Sequence, residues 1–188
     1  RVERAHGVSV RVHGSSTDFR AQDLQIESTL PAQSDGYGGY GLQVSGGASV
    51  VLERSGIYDS LEAGILAGGD GTAVTASDLT VTGTFSRDSD GRYGGGVYAL
   101  EGVDLQLVRT RIGENQDVGV GVFGKTTKLL GSSLVVEGTA AAGCQAAGSC
   151  TDSGTGLFCE QASCLLVEFE LKGNDFCGLV LKAAEETE

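Results

Sequence analysis

Asp88-Ser89-Asp90-Gly91 sets two acids around a serine and ahead of a glycine. That is the opening pattern of a calcium loop, in which alternating oxygens converge on a hard cation and glycine allows the sharp turn. Asp88 and Asp90 are therefore the metal candidates. The downstream acids that would complete such a loop are missing, and an ordinary polar turn is the competing reading. No cofactor is expected, calcium at this turn being the one candidate. Asp90 recurs as Asp35, 55 residues earlier, in similar company: Ser34-Asp35-Gly36-Tyr37-Gly38-Gly39-Tyr40 against Ser89-Asp90-Gly91-Arg92-Tyr93-Gly94-Gly95. If the two stretches lie side by side, Tyr37, Tyr40, Arg92 and Tyr93 form a shallow ledge beside Asp35 and Asp90. Tyrosine faces beside hydrogen-bonding groups suit a sugar or a protein partner. Replacing Tyr37 and Tyr93 with Ala is expected to weaken binding without unfolding the chain. The competing reading has these tyrosines packing the loops onto the body of the protein.

Enzymatic chemistry on a glycan needs more than a ledge. Glycoside hydrolysis uses two carboxyls at a set separation. The acids on candidate strands are scattered: Asp23, Glu53, Asp78, Asp104, Glu168 and Glu170. The sequence shows no paired acids there, no histidine beside an acid and no basic strand. His6 and His13 stand far from the five cysteines, which lie at Cys144, Cys150, Cys159, Cys164 and Cys177. With no Cys-x-x-Cys pair, a zinc site is disfavoured. Local disulfides Cys144–Cys150 and Cys159–Cys164 are geometrically plausible and leave Cys177 over, although connectivity does not follow from spacing alone. Disulfides point to an oxidising compartment: extracellular, periplasmic or cell-surface.

The elements that must hold these residues show themselves as a repeat. A glycine followed by an aliphatic residue opens Gly7-Val8-Ser9-Val10, Gly41-Leu42-Gln43-Val44, Gly64-Ile65-Leu66-Ala67, Gly96-Val97-Tyr98-Ala99, Gly119-Val120-Gly121-Val122, Gly156-Leu157-Phe158-Cys159 and Gly178-Leu179-Val180-Leu181. The intervals are 34, 23, 32, 23, 37 and 22 residues, so long and short units alternate. A short unit of 22–23 residues with period-2 alternation, clear over Val103, Leu105 and Leu107, suits one rung of a parallel β-helix. The spacing predicts an all-β solenoid of about six to seven rungs, with long inserts in alternate rungs along one edge. Asn115 and Asn174 each stand four residues before a repeat glycine, as Ser60 does. Asparagine tolerates the left-handed backbone of a sharp corner and can bond nearby backbone, so these residues predict a structural corner ladder. Thr80, Thr82 and Thr84 make one threonine row, but neighbouring rungs do not extend it into an ice-binding array.

Residues 1–188 carry the repeat throughout and are expected to form one domain. The chain begins at Arg1, lacks Met and shows no convincing cap at either end, so it is expected to be part of a longer helix or to associate end to end. Its net charge of −12 disfavours nucleic acid, whose phosphates need a basic face. No apolar run is long enough to span a membrane as a helix.

Gly41-Leu42-Gln43-Val44 with Ser55-Gly56-Ile57, and Asn174-Asp175-Phe176-Cys177-Gly178-Leu179, resemble the rungs of right-handed parallel β-helix proteins of the pectin-lyase-like group. The crossover rule for parallel strands independently favours the right hand. The resemblance covers nearly the whole chain and implies a fold, not an activity, because polysaccharide lyases, hydrolases, epimerases, tailspikes and non-catalytic surface proteins share this architecture. Two readings follow. The favoured one is a non-catalytic, extracellular or cell-surface scaffold or binding module that contacts a polysaccharide or a surface protein through its inserts. The alternative is a polysaccharide lyase, hydrolase or epimerase, which a cleft lined by several acids, or by acid and base, would favour.

Overall fold

A computed structural model describes residues 1–34, 36–87, 90–142 and 153–183. Among the described residues there is no helix, and every strand pairing is parallel. One seven-stranded sheet takes its strands in chain order, one per turn of the coil: Val8–His13, Tyr40–Ser45, Ala63–Gly68, Gly95–Leu100, Val118–Phe123, Thr155–Glu160 and Cys177–Lys182. The intervening strands close the other faces. In the early coils they are separate, as in Ser49–Glu53 and Gly56–Tyr58. From Asp104–Gly113 onward one ten-residue strand bends through both faces, as Lys128–Glu137 and Ser163–Lys172 also do. The chain is thus an all-β parallel β-helix.

Alternation decides which side chains fill the coil. Leu42, Ile65, Val97, Val120 and Leu157 stack at one register position and are fully buried. Ile57, Val81, Ile112 and Val136 do the same on another face. Each such aliphatic burial contributes about 1.5–3 kcal/mol. The repeat glycines are needed for space. A Cβ on Gly96 would lie 2.5 Å from Ile112 Cγ2 and 2.7 Å from the Gly119 carbonyl oxygen.

The first turn corrects the sequence alignment. Val10 pairs with Leu42 and Val12 with Val44. Ser9, not Gly7, therefore occupies the Gly41 place, and its Oγ lies 2.7 Å from Thr29 Oγ1. A two-residue slip keeps every side chain on its own face because the strand period is two, so hydrophobic alternation alone could not reveal it. With Ser9 as origin the first interval becomes 32, and the two-turn repeat is 55 residues from Ser9 to Gly64, from Gly41 to Gly96 and from Gly64 to Gly119.

The corner ladder arises from one of the two causes expected of asparagine, the side-chain bond to nearby backbone, and not from a left-handed backbone at the asparagine itself. Thr29, Ser60, Thr84, Asn115 and Thr139 lie buried at this corner. Neither Asn115 nor Asn174 has a positive φ. The left-handed residues are their predecessors, Glu114 at 55° and Gly173 at 61°. Asparagine serves instead by its carbonyl: Asn115 Oδ1 accepts the Thr84 N–H at 3.0 Å, and Asn174 Oδ1 accepts the Thr139 N–H at 3.1 Å. Cys159 and Cys164 are joined as a disulfide across one corner, with Cα atoms 6.7 Å apart. Cys177 is a free thiol. The pair Cys144 and Cys150 lies outside the described residues.

Candidate functional site

Three long connections return to the seven-stranded sheet at one corner, each held by the same backbone device. The N–H groups of Gly39 and Tyr40 donate to the Gly7 carbonyl, those of Gly94 and Gly95 to the Glu62 carbonyl, and those of Gly154 and Thr155 to the Asp117 carbonyl. Gly7, Glu62 and Asp117 are successive copies of one position, 55 residues apart. All three have positive φ, at 81°, 65° and 69°. Left-handed residues recur at other corners of this coil, Arg54, Asp78 and Arg109 among them, so the conformation alone marks no function.

What projects from that position differs. Glu62 is 3% exposed. Its Oε1 accepts the Gly38 N–H at 3.0 Å and its Oε2 accepts the Tyr40 hydroxyl at 3.2 Å. Arg87 Nη1 stands 3.7 Å from Oε1. Burial pushes the Glu62 carboxyl above the usual carboxylate range, against the opposing pull of the Gly38 N–H, Arg87 and Tyr40. Burial, followed by the Glu62 charge, pushes Tyr40 up to about 12. Asp117 Oδ2 accepts the Tyr98 hydroxyl at 2.8 Å. Burial raises Asp117 as well, opposed by hydrogen bonds from Tyr98 and Ser153. Tyr98, buried and beside this acid, is held well above its ordinary value. The Tyr98 ring reaches this place because Gly95 stands where Tyr40 stands one repeat earlier; a side chain on Gly95 would collide with that ring.

Both acids face one groove. It encloses about 470 Å³ and is bounded by Tyr40, Glu62, Tyr93, Tyr98, Asp117 and Phe123 over an aliphatic wall of Ala63, Leu66, Leu100 and Val118. Two turns separate the acid-bearing corners, roughly 9.5 Å of backbone at the spacing of neighbouring strands. The floor continues along the sheet as an aromatic row. Tyr98 and Phe123 have ring centroids 6.4 Å apart, Phe123 and Phe158 5.4 Å apart, and Lys182 Nζ caps Phe158 at 4.7 Å. Gly121 makes the row possible, since a Cβ there would lie 2.6 Å from Phe123 Cε2 and 2.9 Å from Tyr98 Cδ1. The same outward positions in the first two turns are polar: Arg11 Nε donates to Gln43 Oε1 at 2.8 Å, and His13 Nδ1 lies 3.0 Å from Ser45 Oγ.

The residues singled out from the sequence fall beside this groove. Tyr93 lines it and is 47% exposed. Tyr37 and Tyr93 both face Arg87, whose guanidinium carbon stands 4.7 Å and 5.0 Å from their ring centroids. Asp90 is committed to Arg87, which donates from Nε at 2.9 Å and also from Nη2. The Arg92 N–H adds a third bond to Asp90 at 3.1 Å. Those bonds, Arg87 first, lower Asp90 to about 2. The Arg92 side chain is exposed. Asp35 and Asp88 lie outside the described residues, and among the described residues no three metal-binding side chains converge. Of the acids expected on strands, Asp23 and Asp78 stand just past strand ends at left-handed corners, and each accepts from Nε and Nη2 of one arginine, Arg54 and Arg109 respectively.

Sequence reasoning missed Glu62, Arg87, Tyr98, Asp117 and Phe123. The signal lay in the 55-residue repeat: each is a position where the repeat is broken. Gly7 becomes Glu62 and Asp117, Ala32 becomes Arg87, Gln43 becomes Tyr98, and Gly68 becomes Phe123.

The family described as right handed beta helix region matches residues 7–186 of the chain. No curated protein and no solved structure gives a significant match. No described helix is long and apolar enough to cross a membrane.

Proposed function

We propose, for a chain that belongs to the right-handed β-helix family, that it is a glycan-binding scaffold of the extracellular or cell-surface space. Its ligand lies in the groove between Glu62 and Asp117, with a sugar face on Phe123 and Tyr93. The observation that carries this reading is the combination in one groove: an aromatic floor for the apolar face of a sugar ring, and two half-hidden carboxyls to accept its hydroxyls. The volume is that of a small-ligand site, about 300–1,000 Å³. The Cys159–Cys164 disulfide supports an oxidising compartment. A polysaccharide partner is favoured over a protein surface because the recognition groups sit in a concavity, not on the exposed ledge of the inserts.

Hydrolysis is the second reading, and one observation favours it. Two carboxyls raised by burial face the same groove, and their corners, about 9.5 Å apart, approach the roughly 6.5–9.5 Å between the carboxyls of inverting glycosidases. Against it, Arg87 and Gly38 bind Glu62, and Tyr98 and Ser153 bind Asp117, so both acids already serve as acceptors in the resting fold. The experiment is a panel of neutral, amino and uronic oligosaccharides, read for binding by calorimetry and for shortened products by mass spectrometry on the same sample. Binding without products, lost in Phe123→Ala, is the expected result. Products that vanish in Asp117→Asn would replace it with the hydrolase, and binding that survives Phe123→Ala would remove the groove from either account.

A further inference from the structure

We propose that Asp117 seats a protonated amine, so that the groove takes a glycan bearing free amino groups; this rests on the glycan reading of the groove. Glu62 and Asp117 occupy one position of the repeat, and the chain supplies a cation to the first alone. Arg87 stands 25 residues after Glu62 and pairs with it. The residue 25 after Asp117 is Ala142. Among the described residues Asp117 forms no ion pair. Residues 35, 88–89, 143–152 and 184–188 contain no Lys or Arg, so they hold no cation for it either.

The partners Asp117 does have are hydroxyls. Tyr98 donates to one oxygen, and Ser153 also bonds the carboxyl. A carboxylate so placed is partly stripped of water and compensated only by neutral donors, a situation that an incoming cation relieves strongly. The remaining ionisable groups of the groove are Glu62, Tyr40, Tyr93 and Tyr98, none of which supplies positive charge. The aromatic floor suits the same ligand, because a sugar ammonium beside Phe123 gains from the ring face as Lys182 does on Phe158. A net charge of −12 and two acids at the groove disfavour uronates.

The test compares a β-1,4-linked glucosamine tetramer with its fully N-acetylated counterpart, titrated calorimetrically at mildly acidic pH. Physiological salt keeps general attraction to the acidic surface screened within about 8 Å. The free amine is expected to bind about tenfold more tightly, a difference of roughly 1.4 kcal/mol. Asp117→Asn should abolish that preference, bringing the two tetramers to equal affinity. Ala142→Arg, which gives this corner its own cation, should do the same. Equal binding of the two tetramers, or a preference that persists in Asp117→Asn, would overturn the amine and leave the glycan reading intact. Binding of neither tetramer, with an oligolysine peptide captured in an Asp117-dependent way, would overturn both in favour of a protein partner.

Discussion

Glu62 and Asp117 share a backbone position, a left-handed φ and a tyrosine hydroxyl, yet the chain finishes them differently. At Glu62 the circuit is closed internally: a glycine N–H, a tyrosine and Arg87, which itself stands over the rings of Tyr37 and Tyr93 and is anchored by Asp90. At Asp117 the circuit is open, with two hydroxyls and, among the described residues, no cation. A repetitive coil builds its scaffold from residues that obey the repeat and its site from residues that depart from it. The closed corner holds two long connections together, and the open one is left to meet a ligand.

The largest expected effect of breaking this contrast is at the closed corner. Arg87→Ala leaves Glu62 buried without its cation and removes the guanidinium from the Tyr37 and Tyr93 rings, at a cost of about 3 kcal/mol. A urea titration that shows a shift below about 1 kcal/mol would mean that Gly38 and Tyr40 satisfy Glu62 alone. At the open corner, Tyr98→Phe removes the hydroxyl from Asp117 and should cost about 1–2 kcal/mol in the same titration. The two losses should add, since different acids are involved, and a strong departure from additivity would show that the corners act as one network.

A smaller effect is in the pH dependence. Burial raises the folded pKa of Asp117 above its unfolded value. Its contribution to stability is therefore fully present below the unfolded carboxyl range, about 3.9, and is lost as pH rises through the folded value. Asp117→Asn removes that loss. The variant should melt higher than the parent near neutral pH, and the difference should close in acid. A variant less stable than the parent at neutral pH would mean that the hydrogen bonds to the ionised carboxylate outweigh the cost of burying it.

The same contrast explains what could be read from the sequence. Alternation and glycine spacing carried the fold because interior packing repeats every turn: Leu42, Ile65, Val97 and Val120 each meet the same environment. The alignment began two residues early, at Gly7, because a slip of two preserves the faces. That slip hid the groove's acids, since Gly7 is the counterpart of Glu62 and Asp117 and not of Gly41. Asp90, Tyr37 and Tyr93 stood out through their matching inserts, and they lie around Arg87. Arg87 itself did not stand out, because Ala32 holds its place one repeat earlier. Tyr98 and Phe123 read as ordinary alternating strand residues, and only pairing across turns shows their outward faces running together into a row.

The most direct measurement is a hydrogen-exchange footprint of the bound glucosamine tetramer. The account predicts slowed exchange in residues 93–98 and 117–123, where the groove lies, and none at the polar outer face of residues 11–13 and 43–45. Protection confined to that polar face, or spread evenly along the coil, would contradict it.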